Sequence, residues 1–231
     1  MNHEFPQGIP RIVEILLAVG GLVVSSPFLL LAGILILTTS PGPVLFRQKR
    51  IGRNGNPFYL IKFRSMQIEN KGAQVTAKGD SRVTLVGSLL RKTKFDELPE
   101  LWNVARGDLS FVGPRPEVPI YVDIENPLWQ RVLKARPGIT DPVTLKLRNE
   151  EEFLAQQADP EEFYIRALQP YKLKGYVEYL NRRNAMTDLR IIWKTLMAIF
   201  APSRTPPPSI AEIQSQTQGT EGIRLPLTLD D

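Results

Sequence analysis

The 231-residue sequence contains no cysteine. Disulfides, thiolate nucleophiles and cysteine-ligated metals are therefore excluded. Histidine is nearly absent, with His3 the single one. That leaves little room for imidazole general-base catalysis or for zinc held by several histidines. Proton transfer and nucleophilic attack fall to Asp, Glu, Lys, Tyr, Ser or Thr. The common phosphate-binding signatures, G-x-x-x-x-G-K-[ST] and G-x-G-x-x-G, are missing, as are a serine elbow and an H-E-x-x-H helix. There is no internal repeat. Neither charge sign dominates: 29 Lys and Arg stand against 24 Asp and Glu, for a net charge of +5. So mild an excess suits nucleic acid, an anionic membrane or a phosphorylated substrate equally. No basic patch is interleaved with aromatics, which argues against nucleic acid.

What is present begins with an apolar run. Residues 15–37 carry no charge over 23 positions. A helix of that length crosses a bilayer core of roughly 30 Å. The run is too long for a signal peptide, and no basic cluster precedes it. Ser25, Ser26 and Pro27 interrupt it at the centre. Pro27 has no N–H and crowds the carbonyl four residues back. A serine hydroxyl can satisfy a carbonyl so freed. The run therefore reads either as a kinked spanning helix or as a helix-break-helix hairpin that enters and leaves on one face. Arg47, Lys49, Arg50 and Arg53 follow it, whereas Arg11 alone precedes it, offset by Glu4 and Glu14. Basic residues prefer the cytoplasmic side, which places the body there under either reading.

The body is expected to be α+β and mostly helical. Residues 43–49 and 57–64 read as a β-hairpin turning at Asn54-Gly55. Residues 67–81 read as a polar loop. Short helices are expected over 84–94 and over 97–104, the second with Asp96 as N-cap and Pro99 in its first turn. Two more are expected between 149 and 179. Residues 187–200 form an amphipathic helix, with Leu189, Ile192, Trp193, Leu196, Met197 and Phe200 at helical spacing. From 201 onward Pro, Ser, Gln and Thr dominate, and the expectation is a disordered tail. Three parts follow: a membrane anchor over 1–40, a catalytic domain over 41–200 and a tail over 201–231.

The chemistry concentrates in RKTKFDELPELWNVARGDLSFVGPRP, residues 91–116. Asp96 and Glu97 lie between Arg91, Lys92 and Lys94 on one side and Arg106 and Arg115 on the other. If Asp96 caps a helix, free N–H groups and the positive helix end keep it ionised. The same helix end would hold a phosphate. A carboxylate beside a phosphate cradle is what an acyl-phosphate intermediate requires, and Glu97 offers a hard oxygen to Mg²⁺. Taken alone, the pair is equally a capping acid and a first-turn acid. Pro114 and Pro116 hold Arg115 in extended backbone, aiming a rigid fork at phosphate or carboxylate. A solvated turn would look the same. Lys62 and Arg64 close the second strand, as a phosphate contact or as a solvated strand end.

Three ordered blocks carry a family resemblance: SPGPVLFRQKRIGRNGNPFYLIKFRSM (40–66), GSLLRKTKFDELPELWNVARGDLSFVGPRPE (87–117) and ARPGIT (135–140), preceded by Ser26-Pro27 in the apolar run. The chain resembles the bacterial sugar transferases, the monotopic polyprenyl-phosphate phosphoglycosyl transferases, over roughly residues 10–200 and in a minimal form without extra spanning helices. The resemblance implies that Asp96 is a nucleophile and Glu97 its partner acid, and that Mg²⁺ is required. It implies that Asp96 attacks the sugar-bearing phosphorus of a UDP-sugar, releasing UMP, and that polyprenyl phosphate then attacks the phospho-aspartyl intermediate. Lys62, Arg64, Arg91, Pro114, Arg115 and Pro116 match positions around the dyad and nucleotide. Ser26-Pro27 matches the break that makes the anchor re-entrant. The implied partners are the donor, the lipid acceptor and membrane lipids but no nucleic acid, with a homodimer permitted. One departure stands out: Asp141-Pro142-Val143 follow ARPGIT where many members continue with Gly and Trp, so loop contacts and sugar specificity do not carry over past Thr140. Two alternatives from other classes remain at this level: a membrane phosphohydrolase in which water replaces the lipid, and a membrane-tethered module that binds anionic lipid.

Overall fold

In the computed structural model, residues 5–67, 80–200 and 207–217 are described. Helix α1 (Arg11–Thr39) runs unbroken through Pro27. It is long and apolar enough to cross a membrane by length and composition, with a mean hydropathy of 2.3 over its most apolar window. The serines do what the sequence suggests. Ser26 Oγ donates to the Val23 carbonyl at 2.7 Å, the acceptor that the missing Pro27 N–H leaves free, and Ser25 Oγ donates to the Gly21 carbonyl at 2.7 Å. Helical hydrogen bonding is repaired at the proline rather than abandoned.

Strands β1 (Leu45–Ile51) and β2 (Pro57–Phe63) form the expected hairpin, paired antiparallel from Leu45 with Phe63 to Ile51 with Pro57. Asn54 at φ 59° and Gly55 at φ 77° supply the left-handed backbone of its turn. Helix α2 (Leu85–Thr93) starts on Thr84, whose Oγ1 accepts from the Gly87 N–H at 2.9 Å, and stops at Lys94 in the left-handed region. A 3₁₀ turn over Phe95–Glu97 leads to helix α3 (Glu100–Arg106). The helix expected over 97–104 thus begins later. Pro99 precedes it without a side-chain cap, and Asp96 is not an N-cap: it belongs to the separate tight turn that the left-handed Lys94 forces.

Two strands have no counterpart among the elements expected from sequence. β3 (Ser110–Val112) and β4 (Gly138–Thr140) pair in parallel, Ser110 with Gly138 and Val112 with Thr140. They are three residues each, too short to show a period. This pairing joins the GPRP and RPGIT blocks. The backbones approach so closely that a Cβ on Gly138 would sit 2.1 Å from the Gly113 nitrogen, so only glycine fits there.

The C-terminal half supplies most of the core: α4 (Pro127–Leu133), α5 (Pro142–Lys146), α6 (Glu150–Ala155), α7 (Pro160–Phe163) and α8 (Gln169–Arg182). A π-helical stretch, Tyr164–Leu168, links α7 to α8. The two helices expected between 149 and 179 are therefore α6 and one long element with a π segment in it. Trp129, Phe153, Leu168, Leu173 and Tyr176 pack here. Helix α9 (Ala185–Phe200) begins on a reciprocal cap between Asn184 and Thr187. It buries Asp188 and Ile191 but exposes Leu189, Trp193, Leu196 and Met197. Within the stretch expected to be a disordered tail, α10 (Ile210–Thr217) is a helix. Ser209 Oγ accepts from the Glu212 N–H, and Ile213 is fully buried in the core beside α8. One capped apolar residue outweighs the composition. Residues 201–206 and 218–231 of that tail lie outside the described residues, as do residues 68–79 of the loop expected over 67–81.

Both ends of α1 are fastened to this body. At its start, the Glu14 carboxylate, 2% exposed as a residue, accepts from the Phe111 N–H at 3.0 Å and from Ser110 Oγ, and pairs with Arg11. Arg11 in turn donates to the carbonyls of Leu109 and Val104. Just upstream, the fully buried Asp188 accepts from the Ile9 N–H, from Tyr179 Oη at 2.6 Å and from Arg183. At the other end, Arg64 donates to the carbonyls of Ser40 and Pro41. Ala32 and Ile36 pack against Phe63 and Leu90.

Candidate active site

A cavity of about 950 Å³ opens between the hairpin, α2 and the C-terminal helices. Asp96, Glu97, Lys62, Arg91, Arg115 and Pro116 all border it. The structure therefore brings together residues that lie up to 54 positions apart in the sequence. Two expected members fall elsewhere. Arg64 is buried against the end of α1, where backbone carbonyls take its guanidinium, so it moors the anchor rather than touching the cavity. Pro114 does not border the cavity; its carbonyl accepts from the Gly138 N–H at 3.0 Å and ties β3 to β4.

Asp96 is 6% exposed, and its Oδ1 has no hydrogen-bond partner. Burial raises its pKa, the neighbouring Glu97 raises it further, and Lys94, Lys62 and Arg91 pull the other way. The capping N–H groups expected to hold this acid ionised are not there, because Asp96 sits in the 3₁₀ turn and not at a helix start. What opposes its protonation is the ring of cations. Glu97 differs. Arg115 Nη2 donates to its Oε1 at 2.7 Å, and Lys94 Nζ lies 3.8 Å away. Although burial opposes it, Arg115 with Lys94 holds the Glu97 pKa down at about 2. Two adjacent acids are thus driven apart in proton affinity, a recurrent mark of working sites.

Arg115 has its terminal nitrogens on protein acceptors, one on Glu97 and one on the Ile139 carbonyl at 3.1 Å. The rigid Pro–Arg–Pro geometry does aim the fork, and its first target is the dyad. Its segment is held from below: Arg50 donates to the Pro116 carbonyl and to Glu117, and Tyr164 donates to Glu117. Lys62 is half-buried, and its burial lowers its pKa with help from Arg50. Arg91 reaches across to Glu151.

One participant is absent from the residues singled out by sequence. Glu100 is 1% exposed, its Oε1 has no partner, and burial beside Glu97 raises its pKa to about 8. A signal exists: Glu100 stands i+4 from Asp96 and i+3 from Glu97, the two helical spacings that would bring it beside each acid of the dyad. A third acid in such a run still looks like surface charge, because nothing in a sequence reports burial.

A family model described as bacterial sugar transferase matches residues 5–202. A UDP-N-acetylgalactosamine-undecaprenyl-phosphate N-acetylgalactosaminephosphotransferase of Aeromonas hydrophila is 44% identical over 197 residues, covering 83% of this chain and 44% of that protein. A UDP-glucose:undecaprenyl-phosphate glucose-1-phosphate transferase of Caulobacter vibrioides is 34% identical over 196 residues, 82% of this chain and 69% of that protein. An exopolysaccharide production protein of Sinorhizobium fredii is 31% identical over 206 residues, 82% of this chain and 84% of that protein. The chain thus spans less than half of the Aeromonas relative, and 65% of a relative from Bacillus subtilis.

Proposed function

The chain belongs to the bacterial sugar transferase family, and from that membership we propose that it transfers a sugar-1-phosphate from a UDP-sugar to polyprenyl phosphate, undecaprenyl phosphate in the bacterial cell, as a first membrane step of polysaccharide or glycoconjugate synthesis. One observation carries the reading: a buried carboxylate with an unpartnered oxygen, Asp96 Oδ1, borders a large cavity ringed by Lys62, Arg91, Lys94 and Arg115. Such an oxygen is costly to leave unsatisfied unless something binds it. An anionic diphosphate brings the electrophile, and the cations neutralise the charge that would otherwise repel a carboxylate nucleophile.

Asp96 in its ionised form attacks the sugar-bearing phosphorus. The new bond joins its oxygen to that phosphorus, and the bond to the bridging oxygen breaks, so UMP leaves with the electron pair. An oxygen of polyprenyl phosphate then attacks the same phosphorus and the Asp96 carboxylate departs, giving a polyprenyl diphosphate sugar. The raised proton affinity of Asp96 suits this role, because a more basic carboxylate is the better nucleophile once ionised. Glu97, held ionised by Arg115, keeps negative charge beside it. Mg²⁺ fits the donor set: this ion takes one or two carboxylates plus substrate phosphates rather than an all-protein cage. Asp96 Oδ1 and the Glu97 carboxylate are hard oxygens of that kind. Among the described residues no group of three or more His, Cys, Asp or Glu forms such a cage. When bound, the ion neutralises diphosphate charge.

The reading includes a re-entrant anchor in the cytoplasmic leaflet of the inner membrane, which requires α1, helical throughout Arg11–Thr39, to bend at Ser26-Pro27. Support comes from the two ends of α1, both tied to one polar body, at Glu14 and at Ser40-Pro41. A spanning helix would need them on opposite faces. The exposed apolar side of α9 would lie in the same interface.

The test needs the full chain in detergent and a panel of UDP-sugars without lipid acceptor. Expected is a burst of UMP equal to the enzyme present, with Asp96 carrying a glycosyl phosphate by mass spectrometry. Asp96→Asn should lower turnover by more than about a thousandfold and carry no label. Label on another residue, or steady release of free phosphate, would sink the assignment.

A further inference from the structure

Among the described residues, four side-chain polar atoms are buried without a partner: Asp96 Oδ1, Glu100 Oε1, Trp129 Nε1 and Asn149 Oδ1. The first two belong to the dyad and its neighbour. The other two lie on α4 and at the turn before α6, and nothing in the reaction above uses them. Trp129, on α4, is 4% exposed yet borders the same cavity. Asn149 stands between Arg148 and Glu150, which both border it. Asn149 occupies the N-cap position of α6, where its oxygen would ordinarily accept from the helix, but it makes no such bond. Native proteins rarely leave such atoms orphaned, and an indole N–H without an acceptor forfeits the one polar contact tryptophan can make.

The walls of the cavity differ in charge. On the α2 side, Arg91, Lys92 and Lys94 face it, and Lys92 is exposed. Arg91 and Lys94 on this side pair with Glu151 and Glu97, and on the opposite side the cations are paired as well. Lys172 pairs with Glu150 at 2.7 Å and lies 4.7 Å above the Tyr164 ring, and Arg148 is engaged as well. Beside these ion pairs and the Arg50–Glu117 pair, that side carries aromatic and neutral residues: Trp129, Tyr164 and Tyr176 with Thr144. A nucleoside diphosphate needs cations. A glycosyl group needs ring faces, one or two hydrogen-bond donors and one or two acceptors, and no charge.

We infer that the wall formed by Trp129 and the turn at Asn149 is the subsite for the glycosyl group of the donor, with Trp129 Nε1 donating to a sugar oxygen and Asn149 Oδ1 accepting from a sugar hydroxyl or amide N–H. This rests on the transferase reading and adds to it the residues that select the sugar. Asn149 lies beyond Thr140, in the part of the chain where the sequence departs from the familiar pattern. The placement gives each orphan a partner, keeps the neutral half of the donor away from the cationic wall, and leaves the diphosphate over Asp96.

Trp129→Phe keeps most of the ring and removes the N–H. The full chain is assayed with UDP-glucose, UDP-galactose and their two N-acetylated counterparts, and UMP affinity is measured by calorimetry as the sugar-free probe. Wild-type turnover comes first; if no UDP-sugar is used, the transferase reading itself fails and this inference with it. Given turnover, Trp129→Phe should lower kcat/KM for the accepted sugar by about tenfold, with UMP affinity within about twofold of wild type. Comparison across the panel distinguishes a hydroxyl from an acyl oxygen as the acceptor. A parallel loss of UMP affinity would assign the wall to the nucleotide and overturn the proposal; so would unchanged kcat/KM on every sugar. Should Trp129→Phe fail to fold, Asn149→Ala, at a turn, is put through the same two measurements, and the same results support or overturn the subsite.

Discussion

The mooring of α1 and the floor of the cavity both bury acids, and they treat them in opposite ways. Glu14 and Asp188 accept from backbone N–H groups, hydroxyls and arginines. Asp96 and Glu100 are also buried, yet each keeps an oxygen with no partner. Burial alone therefore does not mark a working acid. A satisfied buried carboxylate is a fastener, because removing it strands its donors. An unsatisfied one costs stability in the resting protein, and that cost is recovered only when a ligand arrives.

The contrast can be broken most directly at Asp188. Asp188→Ala leaves Arg183, Tyr179 Oη and the Ile9 N–H without their acceptor and should cost about 3–5 kcal/mol, read by chemical denaturation. Asp96→Asn, measured alongside, should be no less stable than wild type, since its ionised form is penalised by burial. Equal losses in the two variants would erase the distinction.

A pH series sharpens it. Glu100 holds its proton in the fold up to about 8, whereas an unfolded chain releases it near 4.5. The native state then binds the extra proton, so stability falls as pH rises from about 4.5 to about 8. Glu97 works in the opposite sense at lower pH: its pKa of about 2 adds stability above 4.5 that is lost as pH drops toward 2. Glu100→Gln should flatten the upper window and leave the lower one, with a gain of a few kcal/mol near pH 8. An unchanged upper slope would mean that Glu100 is ionised in the fold.

The smallest effect belongs to the proline site. Ser26→Ala removes the hydroxyl that satisfies the Val23 carbonyl and should cost about 1 kcal/mol in detergent. A loss of activity far beyond that would mean the serine does more than repair the helix.

Legibility is uneven along the chain, for physical reasons. The hairpin is readable because Asn54-Gly55 states its own backbone requirement, and α2 because Thr84 caps it visibly. The dyad is readable as a pair of acids among cations. Arg64 is misplaced by sequence because a strand-end cation looks the same whether it meets substrate or a helix terminus. The capping role expected of Asp96 fails because Lys94 turns left-handed, which no pattern in KTKFDE announces. Glu100 escapes notice because its importance lies in its burial.

By itself the sequence determined the chemistry on offer: no thiol, almost no imidazole, an apolar run with a proline repaired by serine, and acids set among arginines and lysines. These follow from residue identity and local backbone preference, which act over a few positions. The tertiary structure decided what each group is for. It alone brought the GPRP and RPGIT blocks into one parallel pair, sent Arg64 to the anchor and Arg115 to Glu97, and left polar atoms of Asp96, Glu100, Trp129 and Asn149 without partners. Whether a polar atom is satisfied depends on neighbours distant in the chain and on the exclusion of water, and both exist only once the chain has folded.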